Sequence, residues 1–119
     1  MSNTISWNLR LSVSDGRLDD ARALMNEMVE STRNEPGTLG YEWFLSKDGK
    51  TCHINERYAD SDAAMVHLGT FGEHFAERFL QFFQPTSFAV FGEPSADARA
   101  ALDGFGAEYL GNFGGFFRD

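Results

Sequence analysis

Two side chains suited to proton transfer face each other across a predicted β-hairpin. An Asp-Gly pair at 48–49 separates two β-rich runs and favours a two-residue type I′ turn. If Lys47 pairs with Lys50, the numbers of paired residues add up to 97, which places Tyr41 opposite Glu56. A carboxyl group among apolar neighbours needs a partner or loses its charge. Glu56 is therefore either a proton-transfer group or a structural anchor that accepts a hydrogen bond.

The same register gives the hairpin an apolar face and a mixed face, because side chains alternate along a strand. The apolar face carries Leu39, Tyr41, Trp43, Leu45, Cys52, Ile54, Glu56 and Tyr58. The mixed face carries Gly40, Glu42, Phe44, Ser46, Thr51, His53, Asn55 and Arg57. Only the apolar face is suited to lie beneath helices, so the mixed face is expected to be the open side of a sheet.

His67 is the other candidate for proton transfer. It lies within one helical turn of Ala64, Leu68 and Phe71, at the edge of a face that is expected to look into a pocket. A neutral imidazole at this place is suited to removing a phenolic or carbon-bound proton near neutral pH. The alternative is a histidine on the helix surface that is bonded to water or to a glutamate.

The remaining histidines and the single cysteine predict no metal site. His67 and His74 would lie about 10 Å apart on a continuous helix, which is too far for one ion. His53 projects from the mixed face and cannot join them. Cys52 has no histidine paired with it, so it is predicted to be a packed thiol. We expect neither a metal nor another cofactor.

The aromatic content is unusual for a chain of 119 residues. Aromatic residues make up 14% of the sequence, and 12 of them are Phe, so a core, an interface or an apolar ligand must cover them. The candidates for the lining of an aromatic ligand pocket are Trp7, Trp43, Phe71 and Phe75, with packing in the core as the alternative.

Hydrophobic periodicity predicts the elements that position these residues. They are a strand at 5–13, a helix at 18–34, the hairpin at 39–58, a helix from 61 with a second piece at 70–84, a strand at 88–91 and a helix at 95–104. Thr70 and Glu73 form a capping-box pattern that starts the second helical piece, and Pro85 ends it.

This order is that of a ferredoxin-like βαββαβ fold of the α+β class. We predict one domain over 1–119, with a core at about 3–93 and a C-terminal extension at 94–119. The extension holds a helix and then a tail rich in aromatic residues and glycine, which is expected to pack on its own domain or on a partner. The open sheet face, with Phe44 beside His53, Asn55 and Arg57, predicts a homodimer through the sheet faces.

Charge and hydropathy exclude several classes of partner. The formal net charge is −8 and the pI is about 4.7, with no cluster of Lys or Arg. Binding to nucleic acid or to an anionic membrane surface needs a positive patch, so neither is expected. No basic leader or apolar stretch of about 20 residues occurs, and we expect a cytoplasmic protein.

Three runs of sequence carry a family resemblance: EPGTLGYE at 35–42, INERYAD at 54–60 and HLGTF at 67–71. They resemble the antibiotic biosynthesis monooxygenase domain family. The resemblance implies a dimeric α+β barrel with a pocket between each sheet and its own helices. It also implies oxygenases that act on phenolic or anthrone-type polyketides without metal or flavin, beside relatives that cleave haem, oxidise quinols or isomerise small sugars.

Three hypotheses for function follow from the residues and the resemblance. The first is a cofactor-independent monooxygenase for a small aromatic or polyketide-like phenol or quinol, in which His67 or Glu56 is the base and Tyr41 stabilises the developing oxyanion. The second is a dimeric small-ligand-binding protein without turnover. The third is a haem-binding or haem-degrading relative, which is disfavoured because Leu9 and His67 stand where that branch would need Asn and Trp.

Overall fold

One mixed β-sheet forms the base on which the helices pack. The computed structural model describes residues 3–118. Its elements are β1 (Ile5–Val13), α1 (Leu18–Arg33), β2 (Thr38–Leu45), β3 (Thr51–Tyr58), α2 (Ser61–His74), α3 (Ala76–Phe82), β4 (Phe83–Phe91), α4 (Ala96–Asp103) and β5 (Glu108–Leu110). The strand order is β2-β3-β1-β4-β5, with β5 parallel to β4 and every other pair antiparallel. The α+β class and the ferredoxin-like element order are confirmed.

All four helices cover one face of the sheet. Leu11 and Val13 of β1 pack with residues of α1 and α3, whereas Ile5 and Trp7 of the same strand pack with residues of α2 and α4. The alternation of apolar and polar residues along β1 therefore separates a helix-covered side from an open side, because successive side chains of a strand point in opposite directions.

The predicted hairpin register is confirmed along most of β2 and β3. Tyr41 is paired with Glu56, Trp43 with Ile54 and Phe44 with His53. The register shifts between Thr38 and Gly40, so Thr38 rather than Leu39 stands opposite Tyr58. The placement of Leu39 on the apolar face was wrong, because at this bulge the residue is 56% exposed.

The predicted type I′ turn was also wrong. Such a turn needs positive φ angles at both central residues, but only Gly49, at +73°, has one. The loop closes one pair earlier, where the Ser46 N–H donates to the Thr51 carbonyl at 2.9 Å, and the Gly49 N–H donates to the Ser46 carbonyl at 3.0 Å. The numbers 46 and 51 also add up to 97, so the register downstream is unchanged.

The break between the two middle helices falls later than predicted. Thr70 lies inside α2, where its hydroxyl donates to the Val66 carbonyl at 3.2 Å instead of capping a new helix. The helix continues to His74, and α3 begins after Phe75. Asp60 is the N-cap of α2, since its Oδ1 accepts from the Ala63 N–H at 2.8 Å.

The fourth strand is longer than the predicted segment at 88–91, because it begins at Phe83 and passes through Pro85. Pro85 pairs with Leu11 beside a register shift between Arg10 and Leu11. The β5 strand joins β4 only at Ala89–Phe91, so Pro85 occupies an edge position where a missing N–H is tolerated.

The C-terminal tail packs on its own domain in part. β5 extends the sheet, and the Tyr109 hydroxyl donates to Asp103 Oδ1 at 2.6 Å. Beyond Leu110, Phe117 lies against the Arg57 guanidinium at 3.7 Å from its ring centroid. Phe113 and Phe116 have exposed fractions of 106% and 84%.

Candidate active site

A cavity of about 400 Å³ lies between the sheet and the helical layer. Most of its wall is aliphatic or aromatic, and its polar side chains are Tyr41, Glu56 and His67. A cavity of this size, with a few polar groups in an apolar wall, has the form of a small-molecule site.

The four predicted pocket aromatics divide into two pairs. Trp7 and Phe71 line the cavity, and Phe79, Phe88 and Phe105 complete its aromatic wall. Trp43 and Phe75 are not among the residues that line it. The Trp43 ring lies 5.6 Å from Phe83 and borders a separate cavity of about 110 Å³. Phe75 joins α2 to α3 and packs against the core, which is the alternative that the sequence left open.

Glu56 enters the cavity because of its place in the sheet. It lies on β3 between Trp7 of β1 and Tyr41 of β2, and these pairs bring all three side chains to the helix-covered face. The residue as a whole is 6% exposed. The Tyr58 hydroxyl donates to Glu56 Oε1 at 2.5 Å, and His67 Nε2 lies 3.2 Å from the same oxygen.

His67 is held between two buried carboxylates. Its Nδ1 lies 3.0 Å from Glu35 Oε1 and its Nε2 contacts Glu56. The Glu35 oxygen also accepts a hydrogen bond from the Thr38 hydroxyl at 2.9 Å. The result is a continuous chain of polar contacts from the connection between α1 and β2, through α2, to β3 and the cavity.

This geometry decides the charge of the imidazole. Burial alone would lower the pKa of His67, but hydrogen bonds from its ring to Glu35 and Glu56, together with their negative charges, raise the pKa to about 9. This pKa favours the charged imidazole at neutral pH, whereas the sequence suggested a neutral one. In the charged form, Nδ1 contacts the carboxylate of Glu35 and Nε2 lies 3.2 Å from that of Glu56.

Tyr41 and Tyr58 keep their protons at neutral pH. Burial and the nearby charge of Glu56 raise the pKa of both phenols above the ordinary value of 10.0. The Tyr41 ring centroid lies 5.2 Å from that of His67, and Tyr41 lines the cavity beside Glu56. The Tyr58 hydroxyl therefore donates to Glu56, and Tyr41 contributes a neutral phenol to the wall of the cavity.

Sequence reasoning missed Glu35 and Tyr58 as members of this site. Tyr58 follows Glu56 by two residues in one strand, so the alternation already placed both side chains on one face. No local sequence pattern indicated Glu35. It lies in the connection between α1 and β2 and reaches His67 of α2 only through a tertiary contact.

Gly37 allows the connection between α1 and β2 to approach α2 closely. A Cβ atom built on Gly37 would lie 2.5 Å from the Cβ of Ala63 in α2, one turn before His67. The Gly37 carbonyl also accepts from the Ala59 N–H at 2.9 Å. The connection and α2 thus touch at a point where no side chain fits, and this contact brings Glu35 within reach of His67.

We expect Gly37→Ala to lower the free energy of unfolding by about 1–3 kcal/mol, because the added methyl must push α2 away. Urea unfolding measures the change. Gly69→Ala is the matched control, since nothing lies within 4 Å of the atom it adds and alanine favours a helix. Adding Ala63→Gly to Gly37→Ala should recover part of the loss, and a fully stable Gly37→Ala protein would contradict the steric argument.

Residues 3–118 offer neither a cluster of metal ligands nor a helix that could span a membrane. No group of three or more His, Cys, Asp or Glu side chains in this part of the chain is arranged to hold a metal ion. Within the same residues, none of the helices combines the length and the apolar character that a membrane crossing requires.

The single mixed sheet, with helices on one face and a cavity between them, defines the ferredoxin-like α+β class. Residues 4–84 match the antibiotic biosynthesis monooxygenase family, which is more than half of the 119 residues. The chain belongs to this family.

Solved structures share the fold. MupZ from Pseudomonas fluorescens is 23% identical, with a TM-score of 0.88 over 99% of this chain and 91% of that one. SnoaB from Streptomyces nogalater, a cofactor-independent oxygenase, is 14% identical, with a TM-score of 0.66 over 80% and 97%. Rv0793 from Mycobacterium tuberculosis is 22% identical, with a TM-score of 0.67 over 77% and 96%. No curated protein matched the sequence.

Proposed function

We propose that this chain is a cofactor-independent oxygenase that acts on a small, uncharged aromatic or polyketide-like phenol or quinol. The observation that carries the proposal is a buried carboxylate, Glu56, at the polar end of an otherwise apolar cavity. Membership of a monooxygenase family and the fold shared with SnoaB support it.

Glu56 is the base in this proposal. Its hydrogen bond from Tyr58 and its contact with His67 both involve Oε1, which leaves Oε2 for a substrate proton. His67 serves as a fixed positive charge that stabilises the ionised carboxylate, because its own nitrogens are both engaged. Tyr41 donates a hydrogen bond to the oxygen on which negative charge develops.

The reaction balances for an anthrone-type substrate. Removal of a proton from the reacting CH₂ carbon to Glu56 leaves a carbanion, which transfers electrons to O₂. One oxygen atom becomes the new carbonyl oxygen, and the other leaves as water with the two hydrogens of that carbon. The apolar wall keeps bulk water away from the carbanion, which would otherwise take its proton back.

The charges around the cavity favour an uncharged substrate. Glu35 and Glu56 contribute two negative charges, and the protonated His67 contributes one positive charge. Among the described lining residues none is Lys or Arg. A carboxylate or phosphate group would therefore meet a net negative charge in a low-dielectric site.

The experiment uses purified, chelator-treated protein and a panel of anthrones and phenols, under air and under nitrogen. We expect quinone absorbance only in air, one O₂ consumed for each product molecule, and one ¹⁸O atom incorporated from labelled O₂. Binding without turnover would reject the enzyme in favour of a ligand-binding protein. Soret changes with added haem, followed by loss of the haem spectrum under reductant, would favour the haem-handling relative.

A second candidate is an acid–base enzyme that moves a proton within its substrate and consumes no O₂. The observation that favours it is the pairing of an ionised carboxylate with an imidazolium 3.2 Å away, which supplies a base and an acid together. Product that forms equally under nitrogen would select this candidate and reject the oxygenase.

We also propose that two copies pair through their open sheet faces. Phe44 of β2 and Phe91 of β4 are 50% and 41% exposed, and the tail residues Phe113 and Phe116 are almost fully exposed. Aromatic side chains in this number favour burial against a second copy. Sedimentation velocity tests the pairing, and a monomer at micromolar concentration would reject it.

A further inference from the structure

We propose that Glu35 is a positioning residue that acts on Glu56 through His67: its hydrogen bond to Nδ1 holds the imidazole in the orientation and the protonated form that keep Glu56 an ionised base. The inference rests on the proposed role of Glu56. It concerns a side chain outside the cavity, since Glu35 does not line it.

Glu35 holds the His67 ring at Nδ1, whereas Glu56 contacts the same ring at Nε2. The two side chains are 9% and 8% exposed, so water offers little competition for their contact at 3.0 Å. The Thr38 hydroxyl and the backbone fix Glu35 from behind, because the Glu35 carbonyl accepts from the Thr38 N–H at 3.1 Å. With Nδ1 fixed, the ring presents Nε2 to Glu56 without free rotation.

Four ionisable groups face His67 from the elements around it. Glu35 approaches from the connection between α1 and β2, Tyr41 from β2, and Glu56 and Tyr58 from β3. The two phenols remain neutral, so two carboxylates supply all the negative charge at the ring. Without Glu35, one carboxylate would have to offset the burial that disfavours the charged imidazole.

The hydrogen bonding of Glu35 argues against a purely structural role. Its Oε1 accepts two hydrogen bonds, but its Oε2 is buried and has no hydrogen-bond partner among residues 3–118. An unsatisfied buried oxygen costs stability, and a residue serving stability alone would satisfy both oxygens or be apolar. In this proposal the negative charge of Glu35 acts on His67, and this explains why a carboxylate occupies the position.

The experiment compares Glu35→Gln, Glu35→Asp and Thr38→Val with the unaltered chain. Gln keeps the size and an acceptor oxygen but removes the charge, Asp keeps the charge, and Val removes the rear hydroxyl only. The charge state of His67 is followed by ¹⁵N NMR of the ring nitrogens, assigned with His67→Gln. Circular dichroism establishes that each variant is folded.

We expect the pKa of His67 to fall by about two pH units in Glu35→Gln and by much less in Glu35→Asp and Thr38→Val. With an active substrate, kcat of Glu35→Gln at pH 7 should fall by about 10–100-fold with little change in KM. The alkaline limb of its pH–rate profile should move to lower pH, because His67 then loses its proton at a lower pH than in the unaltered chain.

The NMR and kinetic results separate the two proposals. An unchanged His67 titration in Glu35→Gln, or a shifted titration with an unchanged pH–rate profile, overturns the inference. The His67 titration could shift in Glu35→Gln while the unaltered chain turns over no substrate. In that case Glu35 still controls the charge of His67, and the proposed function is overturned instead.

Discussion

Glu56→Gln is expected to lower the turnover number at least 100-fold while changing the binding of a phenolic ligand less than about threefold. The removal of a general base costs about 10²–10⁴ in rate. Glutamine has almost the same shape as glutamate and can still accept hydrogen bonds from Tyr58 and His67, but it cannot take a proton from the substrate. The loss should therefore lie in kcat rather than in KM.

Steady-state kinetics and fluorescence titration of the phenol measure the two quantities. Glu42→Gln is the matched control, because Glu42 lies on the same hairpin but points to the open face and is exposed. It should leave kcat unchanged. If Glu56→Gln retained more than half of the activity, the carboxylate would not be the base, even if the reaction itself were the one proposed.

The stability of the protein is expected to fall by about 3 kcal/mol as the pH rises from 6.5 to above 9. The pKa of His67 is raised from 6.5 to about 9 in the folded chain. Each pH unit of such a difference is worth about 1.36 kcal/mol, so the stabilisation is fully present below pH 6.5 and is lost as the pH rises through 9. Below pH 6.5 both folded and unfolded chains carry the proton, and no further gain follows from this group.

Urea unfolding at pH 6, 8 and 9.5 measures this dependence, and His67→Gln is the control. The variant should lose most of the slope between pH 6.5 and 9. Cys52 is a competing source at higher pH, because burial raises its pKa to about 11 and the unfolded chain then releases a proton that the folded chain retains. The difference between the unaltered chain and the variant isolates His67, and equal slopes in the two proteins would refute its coupling to the two glutamates.

The hairpin shows how far local sequence rules reach. The predicted register, which places Tyr41 opposite Glu56, is correct although the predicted turn type is wrong. The loop closes at the pair 46/51 instead of 47/50, and both pairs belong to the same register. The error at Leu39 arose from a bulge, which the alternation of side chains does not reveal.

Part of the candidate site could not be predicted from local sequence patterns. Alternation correctly put Trp43 on the helix-covered face, but it could not tell which of two cavities that side chain would border. Glu35 could not be assigned from local pattern at all. Its contact with His67 joins residues 32 positions apart and depends on the close packing of Gly37 against α2.

The wall of the cavity extends past the part of the chain that defines the family. The family match ends at residue 84, whereas Pro85, Phe88, Gly104 and Phe105 also line the cavity. Tyr41, Glu56 and His67 lie within the matched segment, whereas two of the five Phe and Trp side chains of the wall, Phe88 and Phe105, lie after it. We therefore expect that exchanging residues 85–110 between relatives would change the shape of the cavity and the molecules that it admits, while leaving the proposed proton-transfer groups in place.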